Sequence, residues 1–517
     1  MARPTRQAAA QRVAPGVRWR IGAAVSLALA AGATAPAAQA SPERVRVVVT
    51  GEPGSGHAAG AAVSDASGRV IRRLKIINGV VASVPARSVA DIRRSAGVVA
   101  VHSDRAYKLH DDEAGGAAEG VSLAQIRAAV GVTDAHLGAG IDVALVDSGI
   151  TPVPGMDDAD KVVNGPDLSQ DAGDETFRHL DAFGHGTHLA GLIAANGAGY
   201  RGVAPASRIV NVKVADRDGA TSLSRLLGAI DWVVRNRSRG GLNIRVLNLA
   251  FGAETDGGYR DDPMAFAVEQ AWQRGIVVVA AAGNSGAGSA ALDSPAVDPY
   301  VVAVGAQDML GTVSPDDDLV ADFSSRGSAA RSPDVLAPGV GLVSLRVPSS
   351  HLDELFPQAR IGDTGFRGSG TSQSAAVTAG AIAVLLEQRP TLTPDAAKSA
   401  LRASADPVAG ADPTLQGTGV IDIDGAAATA ATGVAQTWPK ARGGGRWRGR
   451  GAIGVELAVE HPNATRWSAT RWSATRWSAT RWSATRWSAT RWSATRWSAT
   501  RWSATRWSAA DWSDGQT

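Results

Sequence analysis

The sequence predicts an α/β domain in which a mostly parallel sheet carries helices on both faces. From residue 121 to about residue 432, short β-branched runs alternate with longer helical stretches, which is typical of strands buried between layers of helices. Apolar residues make up 44% of the chain and charged residues 20%, so a folded core can form. Because 517 residues exceed the size of one compact core, we expect a small α+β unit before this domain and a low-complexity repeat tail after it.

Residues 1–40 have the composition of a signal peptide. Arginines and no acidic residues precede an apolar run over 21–33, and small residues at 38–40 offer a cleavage site. That run is shorter than the roughly 20 residues that a membrane-spanning helix needs. We therefore expect a secreted protein, extracellular or associated with the cell surface, with no permanent membrane helix. The chain has no cysteine, which excludes disulfides, thiol nucleophiles and cysteine-ligated metals.

Residues 41–110 are predicted to form the small α+β unit. Strands are expected at 45–50, 70–77, 79–84 and 98–101, with Asn78-Gly79 as the hairpin turn between the second and third. A helix is expected to begin near Val89, where Ser88 and Asp91 resemble a capping box. Residues 111–120 are acidic and rich in Gly and Ala, which indicates an exposed linker open to cleavage.

The elements of the main domain, residues 121–432, follow from the same periodicity. Buried strands are predicted at 141–146, 209–214, 244–249, 276–282 and 300–304. Helices are predicted at 222–234, 264–273 and 372–387. Residues that act chemically in such sheets lie at the carboxyl ends of the strands, which is where the next motifs fall.

Two of these motifs contain an acid and a base. Asp147 directly follows the strand at 141–146; taken alone it could equally be a turn or cap residue. His185 stands between two glycines at the start of an apolar helix, and the glycines allow close approach of backbone. A metal site at His185 and His188 is the competing interpretation, but no third ligand at a suitable spacing and no His-Glu-x-x-His motif are present.

Two further motifs contain a hydroxyl and an amide. Ser372 opens the helix at 372–387, where it could simply cap the helix, or act as a nucleophile next to a helix amino terminus that stabilises negative charge. Asn284 follows the strand at 276–282, where an ordinary turn is the alternative. None of these four residues is by itself enough to assign a catalytic function.

Together, these motifs resemble those of the subtilisin-like serine proteases, the subtilases, over residues 121 to about 427. The matching segments are Val-Asp-Ser-Gly (146–149), Gly-His-Gly-Thr-His (184–188), Gly-Val-Ala-Pro (202–205), Gly-Asn-Ser-Gly (283–286), Phe-Ser-Ser-Arg-Gly (323–327), Ala-Pro-Gly (337–339) and Gly-Thr-Ser (370–372). The resemblance implies a serine endopeptidase with a subtilisin-like fold that hydrolyses peptide bonds in polypeptide substrates. An α/β-hydrolase esterase is disfavoured, since Gly-x-Ser-x-Gly is absent and the triad order differs.

The resemblance also implies residue roles. Ser372 would be the nucleophile, His185 the general base and acid, and Asp147 the group that orients the imidazole. Asn284 would donate to the oxyanion with the backbone N–H of Ser372. The expected lining of the substrate cleft comprises Leu249, Ala250, Phe251, Gly252, Ala281, Ala282 and Gly283.

The chain departs from the family pattern after the serine. The family usually continues Met-Ala-x-Pro, whereas Gln373, Ser374, Ala375 and Ala376 follow here. The missing proline removes a fixed backbone angle but no catalytic group, so activity is expected to survive. Ser285 places no charge at the cleft, from which we expect a preference for apolar side chains or a broad one.

Residues 41–110 resemble the inhibitory propeptides of the same family, so the enzyme is expected to be made as a zymogen and cleaved within 111–120. The charges are consistent with this: residues 41–110 carry a net +6 and residues 111–435 a net −18, so long-range attraction favours docking.

A basic C-terminal region is expected to comprise a linker at 433–464 and a tryptophan-rich tail at 465–517. In the tail, Arg-Trp-Ser-Ala-Thr recurs every five residues, as flexible low complexity or as a small β-solenoid. Arginine beside tryptophan suits cation–π contacts, so a cell surface or polysaccharide is a possible partner and nucleic acid an unlikely one. The rival to the enzyme is a surface-binding protein on a degenerate protease scaffold, with this tail as the binding part.

We expect no cofactor and no catalytic metal. One acidic cluster leaves structural calcium open, although a solvated acidic loop is favoured because the spacing is not diagnostic. Its members are Asp157, Asp158, Asp160, Asp167 and Asp171.

Overall fold

A computed structural model describes residues 43–55, 57–104, 106–108, 120–253, 258–289, 291–430, 435–444, 482–483 and 506–507. The expected signal peptide, most of the expected cleavage linker and nearly all of the repeat tail lie outside these residues. In the tail, β20 (Trp482–Ser483) and β21 (Arg506–Trp507) pair antiparallel. Among the described residues, no helix has the length and apolarity required to cross a membrane.

Residues 44–103 form an antiparallel sheet with two helices, here called the N-terminal unit. Its elements are β1 (Arg44–Gly51), α1 (Ala58–Asp65), β2 (Arg69–Leu74), β3 (Gly79–Pro85), α2 (Val89–Arg94) and β4 (Val98–Ser103). The sheet order is β2-β3-β1-β4. Alternate residues of β1 face opposite ways: Val47 and Val49 pack among residues of α1 and α2, whereas Val48 joins the core of the main domain.

The predictions for this unit are largely confirmed. Three of the four strands fall where expected, but the second ends at Leu74, because Lys75–Ile77 form a short 3₁₀ helix. Asn78 takes the left-handed conformation just before β3. The helix near Val89 is present, but the capping box is wrong, because the Ser88 side chain makes no cap hydrogen bond. Its preceding turn is a short 3₁₀ helix that already includes Ser88. Helix α1 was not predicted, since its Ala- and Gly-rich sequence lacks a strong apolar period.

The main domain follows from Gly120 onward. Its strands, with the short β5 that precedes it, are β5 (Ala106–Lys108), β6 (Asp142–Asp147), β7 (Val162–Asp167), β8 (Asn196–Gly197), β9 (Tyr200–Arg201), β10 (Arg208–Lys213), β11 (Ala220–Ser222), β12 (Ile244–Leu249), β13 (Val277–Ala281), β14 (Val302–Asp308), β15 (Leu319–Val320), β16 (Val335–Pro338), β17 (Leu342–Leu345), β18 (Arg360–Ile361) and β19 (Gly365–Gly368). Its helices are α3 (Leu123–Ala129), α4 (His185–Ala194), α5 (Leu223–Asn236), α6 (Pro263–Trp272), α7 (His351–Leu355), α8 (Thr371–Gln388), α9 (Pro394–Ser404), α10 (Pro413–Gln416) and α11 (Ile423–Ala428).

The central sheet has the order β15-β14-β13-β12-β6-β10-β7, and β16 lies beside β14. All of these neighbours pair in parallel except β14 with β15. The inner strands are almost entirely buried on both faces, which explains their largely apolar sequences, whereas the edge strands β7 and β15 are partly exposed. The predicted α/β class with flanking helices is confirmed, and each predicted strand and helix is present with ends shifted by a few residues.

Helix placement positions the site. Helices α4 and α8 pack on each other and bring their amino termini to the carboxyl edge of the sheet, while α5 and α6 pack together elsewhere. The N-terminal unit contacts α5 and α6 through the segment after β2. Residues of α8 are almost all buried, because this helix runs through the core and not over its surface.

A segment of the expected linker is docked. Residues 435–444 run along the main domain: Tyr300 Oη donates to the carbonyl of Trp438 at 2.6 Å, and the Ala441 N–H donates to Glu269 Oε1 at 2.7 Å. The segment reaches β4 of the N-terminal unit, where Nε2 of His102 lies 3.1 Å from the Gly443 carbonyl. Ten residues beyond the last helix therefore behave as part of the fold.

Candidate active site

Strand β6 and helix α4 bring an acid and a base into contact. Asp147 is the last residue of β6, and His185 is the first residue of α4. Nδ1 of His185 lies 2.8 Å from Oδ1 of Asp147, and both side chains are buried. A carboxylate at Nδ1 favours the tautomer with the proton on Nδ1, so Nε2 carries the lone pair. Nε2 of His185 has no hydrogen-bond partner, which leaves it able to accept a proton.

Glycines on both sides of His185 are required by the close packing. Gly184 has a φ of 110°, and a Cβ added there would lie 2.6 Å from Ser350 Oγ. A Cβ on Gly186 would lie 2.2 Å from the Gly149 carbonyl. A side chain at position 186 would clash with the main chain just after β6, and one at position 184 would clash with Ser350, so close approach of backbone is confirmed at Gly186 and close packing at Gly184.

A second buried carboxylate, Asp181, supports this pair and was not singled out from the sequence. It accepts hydrogen bonds from the backbone N–H groups of Gly184 and Thr187, each at 2.7 Å, which have no partner within the first turn of α4. Ser148 Oγ lies 2.8 Å from Asp181 and 3.1 Å from Asp147, linking the carboxylates. The signal in the sequence is an Asp just before a helix start.

Burial affects the charges around this pair. It raises the pKa of Asp181, an effect opposed by hydrogen bonds from Gly184, Thr187 and Ser148. Burial, followed by the nearby His185, lowers the pKa of His188 to about 4. His188 is therefore neutral near pH 7, and its Nε2 lies 3.1 Å from the Phe366 carbonyl. Its role is in packing beneath the site.

The nucleophile candidate lies in the first turn of α8. Ser372 is almost completely buried, and its Oγ donates to the carbonyl oxygen of Ala250 at 2.9 Å. In a catalytic triad, the hydroxyl proton of Ser372 would instead be donated to Nε2 of His185. The structure thus joins Asp147 to His185, places Ser372 against the cleft segment, and forms no hydrogen bond between Ser372 and His185.

Asn284 is oriented by the residue before Ser372. Its Oδ1 accepts from the backbone N–H of Thr371 at 2.9 Å and from Thr371 Oγ1 at 2.8 Å. Because the amide oxygen is fixed in this way, Nδ2 is left as a donor on the other side of the group. The Gly283 N–H also donates to Thr371 Oγ1, at 3.2 Å, which ties the turn containing Asn284 to the start of α8.

The expected cleft segments continue two adjacent strands. Leu249 ends β12 beside Ala280 of β13, so the residues that follow leave the sheet side by side. Ala250 contacts Ser372, and Gly283 contacts Thr371, so both segments pass beside the start of α8. The remaining expected lining residues lie on these segments and are buried: Phe251, Gly252, Ala281 and Ala282.

The departure from the family pattern has a structural consequence. Gln373, next to the serine, is fully buried, and both its Nε2 and its Oε1 lack a hydrogen-bond partner. Asn248, at the end of β12, likewise has both amide atoms buried without partners. Buried amides without partners cost free energy, so this side of the site is incompletely satisfied.

Carboxylates of the acidic cluster at residues 157–171 interact with neighbouring protein groups. Asp171 forms a buried ion pair with Lys213, with 2.9 Å between Oδ2 and Nζ. Asp167 accepts from Ser169 and from the backbone of His179. Over the ranges that the structure describes, no group of three His, Cys, Asp or Glu side chains is arranged to hold a metal ion.

Comparison with known proteins identifies the family. Residues 138–428 match the Subtilase family, peptidase S8, and the chain belongs to this family of subtilisin-like serine proteases. The chain is 38% identical over 297 residues to serine protease AprX of Bacillus subtilis (strain 168), covering 56% of this chain and 66% of AprX. It is 30% identical over 374 residues to subtilisin E of the same organism, covering 71% of this chain and 84% of subtilisin E.

A solved structure shares the fold. Fervidolysin from Fervidobacterium pennivorans, a keratinolytic enzyme related to subtilisin, matches with a TM-score of 0.57 and 24% identity. The match covers 75% of this chain and 62% of fervidolysin. The chain thus spans just under two thirds of the length of AprX and of the fervidolysin chain.

Proposed function

We propose that this protein is a serine endopeptidase that hydrolyses peptide bonds in polypeptides through Asp147, His185 and Ser372. The observation that carries the proposal is the buried contact of 2.8 Å between Asp147 and Nδ1 of His185, with Nε2 left without a partner. A histidine held in this way can act as a general base toward a neighbouring hydroxyl group. The family pattern assigns the nucleophilic hydroxyl to Ser372, at the start of α8.

In the proposed reaction, rotation about the Cα–Cβ bond of Ser372 moves its hydroxyl from the Ala250 carbonyl to Nε2 of His185. The hydroxyl proton passes to Nε2 as Oγ bonds to the scissile carbonyl carbon. His185 then gives that proton to the leaving amine, and a water molecule repeats the sequence to release the acyl group. Asp147 stays ionised and stabilises the imidazolium.

The negative charge on the carbonyl oxygen needs donors. We propose Nδ2 of Asn284 and the backbone N–H of Ser372, which has no partner within the first turn of α8. The amide orientation supports this role, because both hydrogen bonds from Thr371 go to Oδ1 and leave Nδ2 available. The substrate backbone would run along the segments that begin at Ala250 and Gly283.

Residues 41–110, which contain the N-terminal unit and β5, are proposed to be an inhibitory propeptide, and the whole chain a zymogen. Three contacts support this. Strand β5 pairs antiparallel with β11 of the main domain, as an extended peptide would. Asp104 accepts from the N–H of Ser224 at 2.9 Å, in the first turn of α5. The Ile76 N–H donates to Asp231 of the same helix at 3.0 Å.

The outer parts of the chain extend this proposal. We propose that residues 1–40 direct export, that cleavage within 111–120 releases the N-terminal unit, and that the tail at 465–517 retains the enzyme at a cell surface or polysaccharide. The proposed main domain comprises residues 121–432, and the linker at 433–464 includes the docked residues 435–444. Among the relatives is a protein named minor extracellular protease Epr of Bacillus subtilis (strain 168).

The test is covalent labelling by a fluorophosphonate, which reacts with an activated serine. The full chain is labelled before and after the N-terminal unit is removed by limited proteolysis, with Ser372→Ala as the control. We expect labelling that depends on Ser372 and increases after removal. A chain in which Ser372 stays unlabelled after removal, although α/β structure is retained by circular dichroism, would instead support a non-catalytic scaffold with a binding tail.

A further inference from the structure

A carboxylate lies between the two segments proposed to line the cleft. A Cβ added to Gly252 would lie 2.6 Å from Oδ2 of Asp293, and one added to Gly283 would lie 2.5 Å from the same oxygen. Only glycines leave room for this carboxylate, which therefore contacts one residue of each segment. Asp293 is not in either segment, and no local sequence pattern places it there.

The backbone around Asp293 joins the two segments. The Asp293 N–H donates to the Ala282 carbonyl at 3.0 Å. The next residue, Ser294, exchanges two backbone hydrogen bonds with Ala253, at 2.8 and 3.1 Å. Residues 293–294 therefore bridge the two segments, and the Asp293 carboxylate lies between Gly252 and Gly283.

The distance from the serine suits a long side chain. Ser372 Oγ contacts Ala250, and Gly252 is two residues further, which is at most about 7 Å along the chain. A substrate residue whose carbonyl is attacked by Ser372 would direct its side chain along this interval. Lysine and arginine carry a charge at the end of a long stem, whereas leucine ends short of the carboxylate.

We propose that Asp293 gives the enzyme a preference for lysine or arginine as the residue that supplies the scissile carbonyl. This inference rests on the proposed function. A charge-assisted hydrogen bond from an ammonium or guanidinium group would form inside a cleft with apolar walls, where such bonds are strongest. An apolar side chain offers no donor for such a bond. The preference replaces the apolar or broad one expected from Ser285, which is exposed.

The experiment compares peptide anilides that differ only in the residue before the scissile bond: Arg, Lys, Leu or Phe. The enzyme is the full chain after release of the N-terminal unit, with its active concentration measured by fluorophosphonate titration. We expect kcat/KM to be about 10- to 100-fold higher for Arg and Lys than for Leu and Phe. In Asp293→Asn, the ratio of basic to apolar substrates should fall by a similar factor.

The matched control is Asp322→Asn, which removes the same charge from an exposed position near Gly286. It should leave the ratio within about twofold of the wild-type value, because an exposed charge acts weakly. If the enzyme is labelled but favours Leu or Phe, or if Asp293→Asn leaves the ratio unchanged, this inference is wrong and the proposed function stands. Absence of Ser372-dependent labelling would instead overturn the proposed function.

Discussion

The two sides of the candidate active site differ in how completely their polar groups are satisfied. On the acid–base side, Asp147, Ser148, Asp181 and the start of α4 form a continuous hydrogen-bonded network. On the nucleophile side, Ser372 is bonded to a main-chain carbonyl, and the neighbouring Gln373 and Asn248 have buried amide atoms without partners. His185 is positioned by hydrogen bonds within the fold, whereas the nucleophile side has amide donors and acceptors without hydrogen-bond partners.

This difference has a physical cause. The acid–base side needs one fixed geometry, because the imidazole must hold a single tautomer, and the hydrogen bond between Nδ1 and Asp147 supplies that. The nucleophile side must accept a substrate, so groups that already had strong partners would have to lose them on binding. The predictions that follow test whether the bonded side and the open side respond differently to mutation.

The largest effect is expected on the bonded side. Replacing Asp147 with Asn keeps the shape but presents an amide to Nδ1, so the imidazole loses its preferred tautomer and its counter-charge. We expect kcat to fall by about 10⁴, the size known for the equivalent change in a protease with the same triad. Peptide hydrolysis measured alongside Asp158→Asn, an exposed carboxylate in the segment before β7, checks this. A loss below tenfold would mean that Asp147 does not orient His185.

On the open side, Asn284→Ala removes the proposed oxyanion donor. We expect kcat to fall by about 10² to 10³ with little change in KM, a magnitude known for subtilisin itself and taken from it. Steady-state kinetics separate the two constants. Thr371→Val, which removes only one of the hydrogen bonds that orient Asn284, should give a smaller loss in kcat. A change in KM alone would show that Asn284 binds substrate without stabilising the transition state.

Asp181→Asn tests the support of the bonded network. The amide can accept fewer hydrogen bonds than the carboxylate, so backbone N–H groups at the start of α4 lose charge-assisted partners. We expect the free energy of unfolding to fall by about 1–3 kcal/mol in urea denaturation. Asp218→Asn, at an exposed position, is the control and should change stability by less than about 0.5 kcal/mol. Equal effects of both variants would contradict the role of Asp181.

The smallest effect, of opposite sign, is expected at Gln373. Gln373→Met conserves volume and removes two buried amide atoms without partners. We expect the free energy of unfolding to rise by about 1–2 kcal/mol, with kcat changed by less than about fivefold. Denaturation of Gln373→Met and of the wild-type chain gives the comparison. A destabilised variant would show that the amide has partners in solution, and the contrast between the two sides would then be smaller.

Much of the main domain was predictable because its strands are buried on both faces. A short, mostly apolar run such as 244–249 favours a strand when turn residues bound it, and that strand was predicted with its observed bounds. Asp147, His185, Asn284 and Ser372 were singled out because each follows a strand or opens a helix and because their motifs together resemble those of the subtilases. Helix α1 was missed, because eight residues rich in alanine and glycine carry little periodic signal.

The contacts within the site were less predictable. Asp181 lies only four residues before His185, yet its importance depends on the direction of its side chain toward two N–H groups. Asp293 lies 41 residues beyond Gly252 and touches it only because the chain after β13 turns back beneath the cleft. The docking of residues 435–444 depends on Tyr300 and Glu269, which no local pattern links to them.

The sequence by itself determined the order of the elements, the acidic main domain between basic flanks, and the four chemical groups at the ends of strands and helices. These are local properties, since periodicity, turn chemistry and charge are written in consecutive residues. Tertiary structure alone decided that Ser372 donates to Ala250, that Asn284 turns its oxygen toward Thr371, and that Asp293 reaches between two glycines. Those outcomes depend on loop paths and on packing between distant segments, where shifts of an ångström make or break a hydrogen bond.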